Sequence, residues 1–384
     1  MTPITTTAEL AVFCDKLKGQ PFVAVDTEFM RETTYWPKLC LIQAAAGSAE
    51  ACIDPLAEDI DLEPFLEILR DKTILKVFHA ARQDVEIFNN LKAMPVPLFD
   101  TQVAGMAAGF GEQIAYDALV RQMLKIELDK SSRFTDWARR PLSDNQLTYA
   151  LADVTHLAAL YPILRERLEK EGRLGWVTDE MANLTDPAIY DVEPENAWKR
   201  LRPRKHTAKY MAVYKAVAAW RERTAQLRDQ PRGRILKDEA IDEVATQAPT
   251  DADQLDRLRS VPKGFSGSRF GPDLLAAIRE ALKDPEAYAP VIERSRAAPS
   301  PAAGAVVELL KVLLKARAEE AGVASKLIAN DDEADTAALK GWRREAFGED
   351  ALKLKRGELA LVLDGARVRV VEVRRAPRAT ATAG

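Results

Sequence analysis

The chain has 384 residues, of which 47% are hydrophobic and 30% are charged, and its net charge is −4. This length and apolar content allow a buried core and predict two or three domains. The three cysteines, Cys14, Cys40 and Cys52, lack C-x-x-C spacing, which argues against a disulfide framework or a zinc site. We find neither a secretory leader nor an apolar run long enough to span a bilayer, and therefore expect a soluble cytoplasmic protein with no membrane partner.

The first part of the chain, up to about Glu171, alternates short apolar runs with helical patterns, which predicts an α/β domain. Its first three strands are close enough together to form an antiparallel meander, and two more strands follow between helices. The predicted strands are FVAVDTEF, LCLIQAAA, EACID, TILKVFH and PLFD. The predicted helices between them are DLEPFLEILRD and ARQDVEIFNNL, with only helices after the last strand.

Strands nearly vanish in the second half of the chain, where the spacing is helical. We assign 1–185 to the α/β domain, 186–205 to a linker, 206–290 to a helical module, and 300–375 to a second helical module. The tail at 376–384 is predicted to be disordered.

Three features of the second half refine this division. AAPSPAAGA at 297–305 is predicted as a further linker, with helix from about Val306. RGELALVLDGARVRVVEVRR at 356–375 predicts a β-hairpin, because Asp-Gly stands between alternating apolar runs. SKLIANDDEADTAAL weakly echoes RILKDEAIDEVATQA, which suggests that the two modules are related.

Two carboxylates interrupt the first predicted strand, FVAVDTEFM. Asp26 and Glu28 are two residues apart, so they project from the same face of the strand. Like charges in a half-buried place are unfavourable unless a cation lies between them. The alternative is a strand end whose acids face water. The D-x-E spacing alone does not distinguish a cation site from a solvated strand end, since the same spacing recurs in polar surroundings, as at Asp61 and Glu63.

Three further residues belong with this pair. Asp84 opens a helix after a buried strand, where sites assemble in α/β sheets, although it could merely complement the helix dipole. Tyr149 and Asp153 are four residues apart on a helical segment and so share a face. Ordinary core packing is the alternative for Tyr149.

This set of residues resembles that of the DEDD 3′→5′ exonucleases, in the branch whose last motif carries tyrosine. The resemblance extends to the ribonuclease D family and covers 22–160 nearly continuously. It is carried by VDTEFMRETTYWPKLCLIQ, VFHAARQDVEIF, FDTQVAGMAAG and LDKSSRFTDWARRPLSDNQLTYALADV. The helical segments resemble HRDC modules, the first more closely than the second. The late hairpin has no place in that pattern.

The resemblance implies a ribonuclease-H-like fold, with a mixed five-stranded sheet followed by all-α helical modules. It also implies removal of single nucleotides from a 3′ end with two divalent ions. Asp26 should then bridge both ions, Glu28 and Asp153 should complete the site of the ion that activates water, and Asp84 should hold the other ion. Tyr149 should orient the attacking water.

The chemistry of these residues agrees with such a site. Carboxylate oxygens suit Mg²⁺ or Mn²⁺, and two ions about 4 Å apart can bind the attacking and leaving oxygens of a phosphoryl transfer. The chain has only three histidines, none of them in H-x-x-x-H spacing, so a histidine-rich zinc centre is not expected.

Several residues near the acids are candidates for substrate contact. Thr27, Met30 and His79 could touch the terminal nucleotide, or could equally be core residues. Lys130, Arg133 and Trp137 offer a charge-plus-aromatic set suited to a single strand. A solvated loop anchored by Trp137 is the alternative for that set.

A basic run follows the first domain. From Trp198 to Arg234 there are 12 Lys or Arg and 2 acids, which suits binding of a phosphate backbone. Whether Tyr210, Tyr214 and Trp220 within it stack on bases or pack in a core stays open.

The leading interpretation is a metal-dependent 3′→5′ exoribonuclease that releases nucleoside 5′-monophosphates. The resemblance implies RNA 3′ ends, and tRNA precursors in particular, as substrates. We expect a monomer with no obligate protein partner. A DNA exonuclease of the same fold, or a non-catalytic nucleic-acid-binding protein, are the alternatives.

Overall fold

The computed structural model describes residues 2–291, 301–329, 336 and 338–373. The tail predicted at 376–384, and the first part of the linker predicted at 297–305, lie outside these residues.

A five-stranded sheet forms the centre of the first domain. Its strands are β1 (Phe22–Met30), β2 (Lys38–Ala46), β3 (Ala49–Ile53), β4 (Leu75–Phe78) and β5 (Leu98–Asp100). Their order is β3-β2-β1-β4-β5; β1, β2 and β3 pair antiparallel, whereas β4 is parallel to β1 and to β5. The prediction of a mixed sheet with an antiparallel first half is confirmed.

The central strand β1 is buried over its first half and carries acids over its second half. Val23, Ala24 and Val25 are fully buried, as expected for a strand covered on both faces. The register with β2 shifts between Glu28 and Phe29, which is a bulge. Bulges bend a strand and re-aim side chains, and they are frequent beside active sites.

Seven helices surround this sheet. They are α1 (Thr7–Leu17), α2 (Glu63–Arg70), α3 (Arg82–Asn90), α4 (Thr101–Ala107), α5 (Tyr116–Leu124), α6 (Asp144–Lys170) and α7 (Thr178–Leu184). A short 3-10 helix, Leu174–Val177, precedes α7, and two more lie in the predicted linker, at Pro187–Ile189 and Pro194–Arg200.

Helix α6 is the longest element of the described part of the chain and begins with a capping box. The Ser143 hydroxyl accepts a hydrogen bond from the Gln146 amide, and the Gln146 side chain accepts one from the Ser143 amide. By length and composition α6 could cross a membrane, although the sequence was expected to hold no such segment. It packs instead on β1, β2 and β3, with one face buried in the core: Leu147, Ala150, Leu151, Val154, Leu157, Leu160, Tyr161, Leu164 and Leu168.

The first helical module has a core of its own. Its helices are α8 (Ala208–Arg228), α9 (Arg232–Ile235), α10 (Asp238–Gln247), α11 (Ala252–Asp256), α12 (Gly271–Lys283) and α13 (Pro285–Tyr288), with a 3-10 helix at Phe265–Gly267. Tyr210, Tyr214 and Trp220 are all buried in this core. These three aromatic residues therefore stabilise the module and do not face solvent.

The second helical segment comprises α14 (Pro301–Ala321), α15 (Ser325–Ile328), α16 (Gly341–Arg343), a π-helical turn at Arg344–Gly348, and α17 (Glu349–Lys355). Helix α14 begins at Pro301, earlier than the predicted Val306, because proline suits the first helical position and the alanines after it favour helix. The predicted hairpin is confirmed as β6 (Leu359–Asp364) and β7 (Arg367–Glu372).

The first module contacts the α/β domain through the loop that follows β1. Tyr35 is buried in the core of that module. The backbone amides of Tyr35 and Trp36 donate to Asp229 Oδ1 at 3.0 and 2.9 Å. The loop is thereby held between the two domains.

The second segment contacts the α/β domain through other elements. The rings of Trp176 and Trp342 stack with centroids 4.3 Å apart and an interplanar angle of 2°. The Ala324 amide donates to the Met106 carbonyl at 2.9 Å, and Leu327 is buried in the core of the first domain. A Cβ at Gly109, where φ is +80°, would lie 2.6 Å from the Gly322 carbonyl oxygen. The close contact between these two backbone segments therefore requires glycine at position 109.

Candidate active site

Three acids converge at the end of the buried part of β1. Asp26 and Glu28 project from β1, and Asp153 projects from α6, which lies across that strand. One carboxylate oxygen from each of the three lies within 4.8 Å of the others. Residues 125 positions apart in the sequence therefore form one cluster of hard oxygen donors.

Asp84 stands on the first turn of α3, at the end of β4, and only 6% of it is exposed. The Thr27 hydroxyl donates a hydrogen bond to its Oδ1 atom. Thr27 lies between Asp26 and Glu28 in β1 and is itself buried. The threonine thus links the strand of the first two acids to the helix of the fourth.

The positions of the four acids raise their pKa values. Burial is the main cause for each, and it raises the pKa of Asp26 to about 6. Burial followed by the charge of Asp26 raises the pKa of Glu28 to about 9 and that of Asp153 to about 8. The same two causes raise the pKa of Asp84 well above its usual range. The charge of Asp26 raises the pKa of each of the other three acids, so it lies close to all of them.

This donor set fits divalent cations. Four clustered carboxyl groups, one buried and three half-buried, repel one another, and bound cations would let all four ionise. Oxygen-only donors favour Mg²⁺ or Mn²⁺ over softer ions.

Tyr149 lies one helical turn before Asp153, and its hydroxyl is close enough to the Asp153 carboxylate to lower the pKa of that carboxylate in part. The pKa of the Tyr149 phenol is raised, by burial and then by the charge of Asp153. The phenol is therefore protonated at neutral pH. It can orient a neighbouring group but cannot readily accept a proton.

A cleft of about 430 Å³ opens beside the acids. Asp26, Tyr149 and Asp153 line this cleft. Its other polar lining residues are His79, Gln102, Gln113, Tyr116, Asp117, Asp129, Lys130 and Arg133. A cleft of this size, lined by acidic, basic and aromatic side chains, can hold a terminal nucleotide.

His79 is fixed at both ring nitrogens. Nε2 lies 3.1 Å from the Ile114 carbonyl oxygen, which can only accept, and Nδ1 lies 3.0 Å from the Thr101 hydroxyl. Burial lowers the pKa of His79. A neutral imidazole held at both ends shapes the cleft and is not a mobile proton carrier.

Sequence reasoning missed Tyr116, at the start of α5. Its phenol donates to the Asp153 carbonyl, and its ring centroid lies 5.3 Å from that of His79. No spacing in the sequence connects Tyr116 with the acids. Its role is set by tertiary packing, which brings α5 against α6.

Lys130 and Arg133 both lie at the rim of the cleft. The Lys130 ammonium pairs with Asp117 at 2.6 Å across that rim. Arg133 lies close enough to the acids to lower the pKa of Glu28 and of Asp153 in part. Arg133 is therefore the positive charge that faces the acid cluster.

Trp137 and Met30 are placed differently from the other candidates. Trp137 is 3% exposed and packs in the core, with its ring centroid 6.2 Å from that of Tyr149. It anchors the loop and does not line the cleft, in agreement with the alternative considered for it. Met30 is partly buried and packs against the same core.

Asp100 holds backbone segments next to the site through its carboxylate. Its carboxylate caps α4 by accepting from the Gln102 amide at 2.7 Å. It also accepts from the amides of Ala80 and Ala81, at 3.0 and 2.9 Å, in the turn that leads into α3. The Asp100 side chain therefore fixes the turn between His79 and the start of α3, the helix that carries Asp84.

Comparison with known proteins agrees with this geometry. The 3'-5' exonuclease family matches residues 1–169, and the HRDC domain family matches residues 211–278. Ribonuclease D of Granulibacter bethesdensis is 50% identical, with 96% of each chain covered. Ribonuclease D of Nitrobacter hamburgensis is also 50% identical, with 97% of this chain and 100% of the relative covered. The chain belongs to the ribonuclease D family.

The solved structures lead to the same family. Escherichia coli RNase D, described as an exoribonuclease involved in structured RNA processing, superposes with a TM-score of 0.80. It is 30% identical, and the match covers 93% of this chain and 99% of that one. The exonuclease fold followed by an HRDC region, expected from the resemblance, is thus confirmed.

Proposed function

We propose that this ribonuclease D family member is a divalent-metal-dependent 3′→5′ exoribonuclease that releases nucleoside 5′-monophosphates. The observation that carries the proposal is the cluster of Asp26, Glu28 and Asp153, within 4.8 Å of one another, beside a cleft of nucleotide size. The family membership of the chain and the neighbouring RNase D fold support it.

Asp26, Glu28, Asp84 and Asp153 would hold two divalent ions. Asp26 would be shared between them, because its charge raises the pKa of every other acid and it therefore lies close to all three. When bound, the ions supply an activated water and offset charge on the phosphoryl oxygens. The residues of the chain must then orient that water and position the phosphate.

Tyr149 orients the water. Its phenol stays protonated and lies beside Asp153, so it can hold one hydrogen bond to the carboxylate while its oxygen accepts another. Attack on phosphorus breaks the bond to the 3′ oxygen of the preceding nucleotide. That oxygen takes a proton and becomes the new 3′ end, and the terminal nucleotide leaves as a 5′-monophosphate.

His79 and Tyr116 would form the wall against which the terminal nucleotide lies, because both line the cleft and are held by hydrogen bonds. Thr27 and Met30 would act through the strand that carries Asp26, since both belong to that strand and neither lines the cleft. Lys130 and Arg133 would meet the phosphates at the rim.

We further propose that the substrates are RNA 3′ ends, in particular those of tRNA precursors, and that the protein acts as a cytoplasmic monomer. The HRDC region supports nucleic-acid binding, since Lys199, Arg200, Arg202, Lys205 and Lys209 at its approach are all exposed. The description of the E. coli neighbour as a processor of structured RNA is consistent with such a substrate.

We also propose that α14 and the elements that follow it form a second, divergent HRDC-like module, with domains divided near 186–205 and near 300. The support is a shared pattern of helices. Both α8 and α14 have 21 residues, and three residues later each is followed by a four-residue helix. Each connection starts in the left-handed region, at Asp229 and Gly322 respectively.

The proposal is tested with RNA and DNA of matched sequence, labelled at the 5′ end, with and without Mg²⁺ or Mn²⁺. A ladder shortened by single nucleotides, seen for RNA and only with metal, is the expected result. A circular RNA should resist cleavage. Cutting of the circle would indicate an endonuclease, and preference for the DNA strand would contradict the substrate class.

A further inference from the structure

One aromatic side chain stands apart from the others. Every Phe, Tyr and Trp of the chain lies within the described residues, and Phe134 alone is mostly exposed, at 92%. Burial of a phenylalanine side chain normally stabilises a fold, and this position forgoes that stabilisation. Exposure alone does not indicate a ligand, since Leu227 and Leu363 are exposed to a similar degree.

The loop around Phe134 is anchored on both sides. Ser132, two residues before it, is buried. The Thr135 hydroxyl donates to the Ser132 carbonyl at 2.8 Å and accepts from Gln146 Nε2 at 3.1 Å, which ties the loop to α6. Trp137 then enters the core. The exposed ring therefore projects from a backbone that is fixed by its neighbours.

Phe134 directly follows Arg133, a residue that lines the cleft. Arg133 lines that cleft and lowers the pKa of Glu28 and of Asp153 in part, so it faces the acids. The Arg133 guanidinium carbon is 5.2 Å from the centroid of the Phe134 ring. A flat apolar surface and a positive charge are thus adjacent beside the cleft that holds the acids.

This pairing suits one kind of ligand. Single-stranded nucleic acid binds through bases stacked on aromatic rings and phosphates held by nearby cations. We propose that Phe134 is a stacking platform for one base of single-stranded RNA upstream of the scissile phosphate. The inference rests on the proposed function, because it assumes that a 3′ end lies in the cleft and that the preceding strand leaves past Phe134.

The platform sets a structural requirement on the substrate. A base within a duplex is already stacked on its neighbours and cannot cover the ring without being unstacked. The enzyme should therefore favour a 3′ end that is single-stranded as far as the position that reaches Phe134, and should slow when a helix enters that position.

The test compares Phe134→Ala and Phe134→Trp with the wild type, on oligonucleotides that carry one abasic residue at successive positions from the 3′ end. Leu227→Ala, a similarly exposed change far along the chain, is the control. Removal of a stacking ring should lower kcat/KM about 5- to 100-fold, the range expected for one base, mainly through KM. Phe134→Trp should restore it, and Leu227→Ala should have no effect.

One abasic position should lower kcat/KM of the wild type by a similar factor and should not lower that of Phe134→Ala any further. A 2-aminopurine at that position, bound to Asp26→Asn protein, should be quenched only when Phe134 is present. Equal kinetics of Phe134→Ala and wild type on every substrate, with wild type active, would overturn the platform and leave the proposed function standing. A wild type that fails to shorten any RNA would overturn the proposed function, and the platform with it.

Discussion

The phenol of Tyr35 donates a hydrogen bond to the carboxylate of Glu222, which is 1% exposed. Tyr35 belongs to the loop after β1, and Glu222 belongs to α8 of the HRDC region. Arg232 completes the contact, with its Nη2 atom 2.5 Å from the same carboxylate and its guanidinium carbon 4.6 Å from the centroid of the tyrosine ring. The loop that follows β1, the strand of Asp26 and Glu28, is therefore in contact with the HRDC region.

Replacement of this tyrosine should loosen the contact. Tyr35→Phe keeps the ring but leaves a buried carboxylate with one donor fewer, which should lower the free energy of unfolding by about 1–3 kcal/mol. Urea unfolding measures the change. Cleavage of a short single strand should stay near normal, because the acids are not touched. An unchanged stability would show that Arg232 alone satisfies Glu222.

Loss of the central acid should abolish cleavage. Asp26→Asn removes a carboxylate that would be shared by both ions, and it should lower the rate more than about a hundredfold while leaving the fold intact. Asp61→Asn is a matched control, because Asp61 has the same D-x-E spacing and its carboxylate only caps the Glu63 amide, at 2.9 Å. More than about a hundredth of the wild-type rate in Asp26→Asn would contradict a metal site built on this residue.

The hydroxyl of Tyr149 should matter for turnover. Tyr149→Phe removes the group that orients the attacking water and should slow single-turnover cleavage by about 10²-fold, with little change in RNA binding or melting temperature. Tyr161→Phe is the comparison, since Tyr161 lies on the same helix but packs on Phe22 and Phe99. A near-normal rate for Tyr149→Phe would leave the tyrosine a packing role only.

The raised pKa values predict how the metal-free protein responds to pH. Glu28 has a folded pKa of about 9 against a usual value of 4.5, so between these values the folded protein binds more protons than the unfolded chain. The contribution of Glu28 to the free energy of unfolding is therefore most favourable below about pH 4.5, and it falls as pH rises towards 9. The melting temperatures of wild type and Glu28→Gln should therefore differ more and more as pH rises from about 4.5 to 9. The melting temperature of the variant should fall less than that of the wild type.

Metal binding should release protons for the same reason. At pH 7, Glu28 and Asp153 hold protons in the metal-free site, and cations that bind carboxylates must displace them. Calorimetric titration with Mg²⁺ in buffers of different ionisation enthalpy measures the number released. A titration with no net release would mean that the cations bind elsewhere. Chelation should reverse the binding and stop cleavage.

The basic approach to the HRDC region should control salt dependence. Replacing Lys199, Arg200, Arg202, Lys205 and Lys209 with alanine should weaken binding of a tRNA-sized RNA and flatten the slope of log K against log salt by about 0.7–0.9 for each lost phosphate contact. Lys16, Lys18 and Lys72 are exposed basic residues of the first domain and serve as the control set. Equal slopes for both sets would assign the phosphates to another surface.

The sheet and the acids were predictable because both depend on short-range pattern. Period-two alternation places Asp26 and Glu28 on the same face of the strand, and helical spacing places Tyr149 and Asp153 on the same face of the helix. The family resemblance supplied the pairing of these two motifs, which pattern alone could not.

The side-chain positions in the loop next to the cleft could not be predicted in the same way. Trp137 and Phe134 are three residues apart in one loop, and composition does not tell which ring enters the core. The structure buries Trp137 and exposes Phe134. Tyr116 and Glu222 depend likewise on contacts between distant elements, for which the sequence carries no local signal.

The contacts of α14 to α17 with the first domain have a consequence for a nicked chain. The stacked Trp176 and Trp342 rings and the Arg343–Glu180 pair, at 2.5 Å, join elements that a break between α13 and α14 would leave on separate polypeptides. The two fragments should therefore elute together under native conditions and separate only in denaturant. Limited proteolysis at that point would yield a noncovalent complex in which all four acids remain on the larger piece.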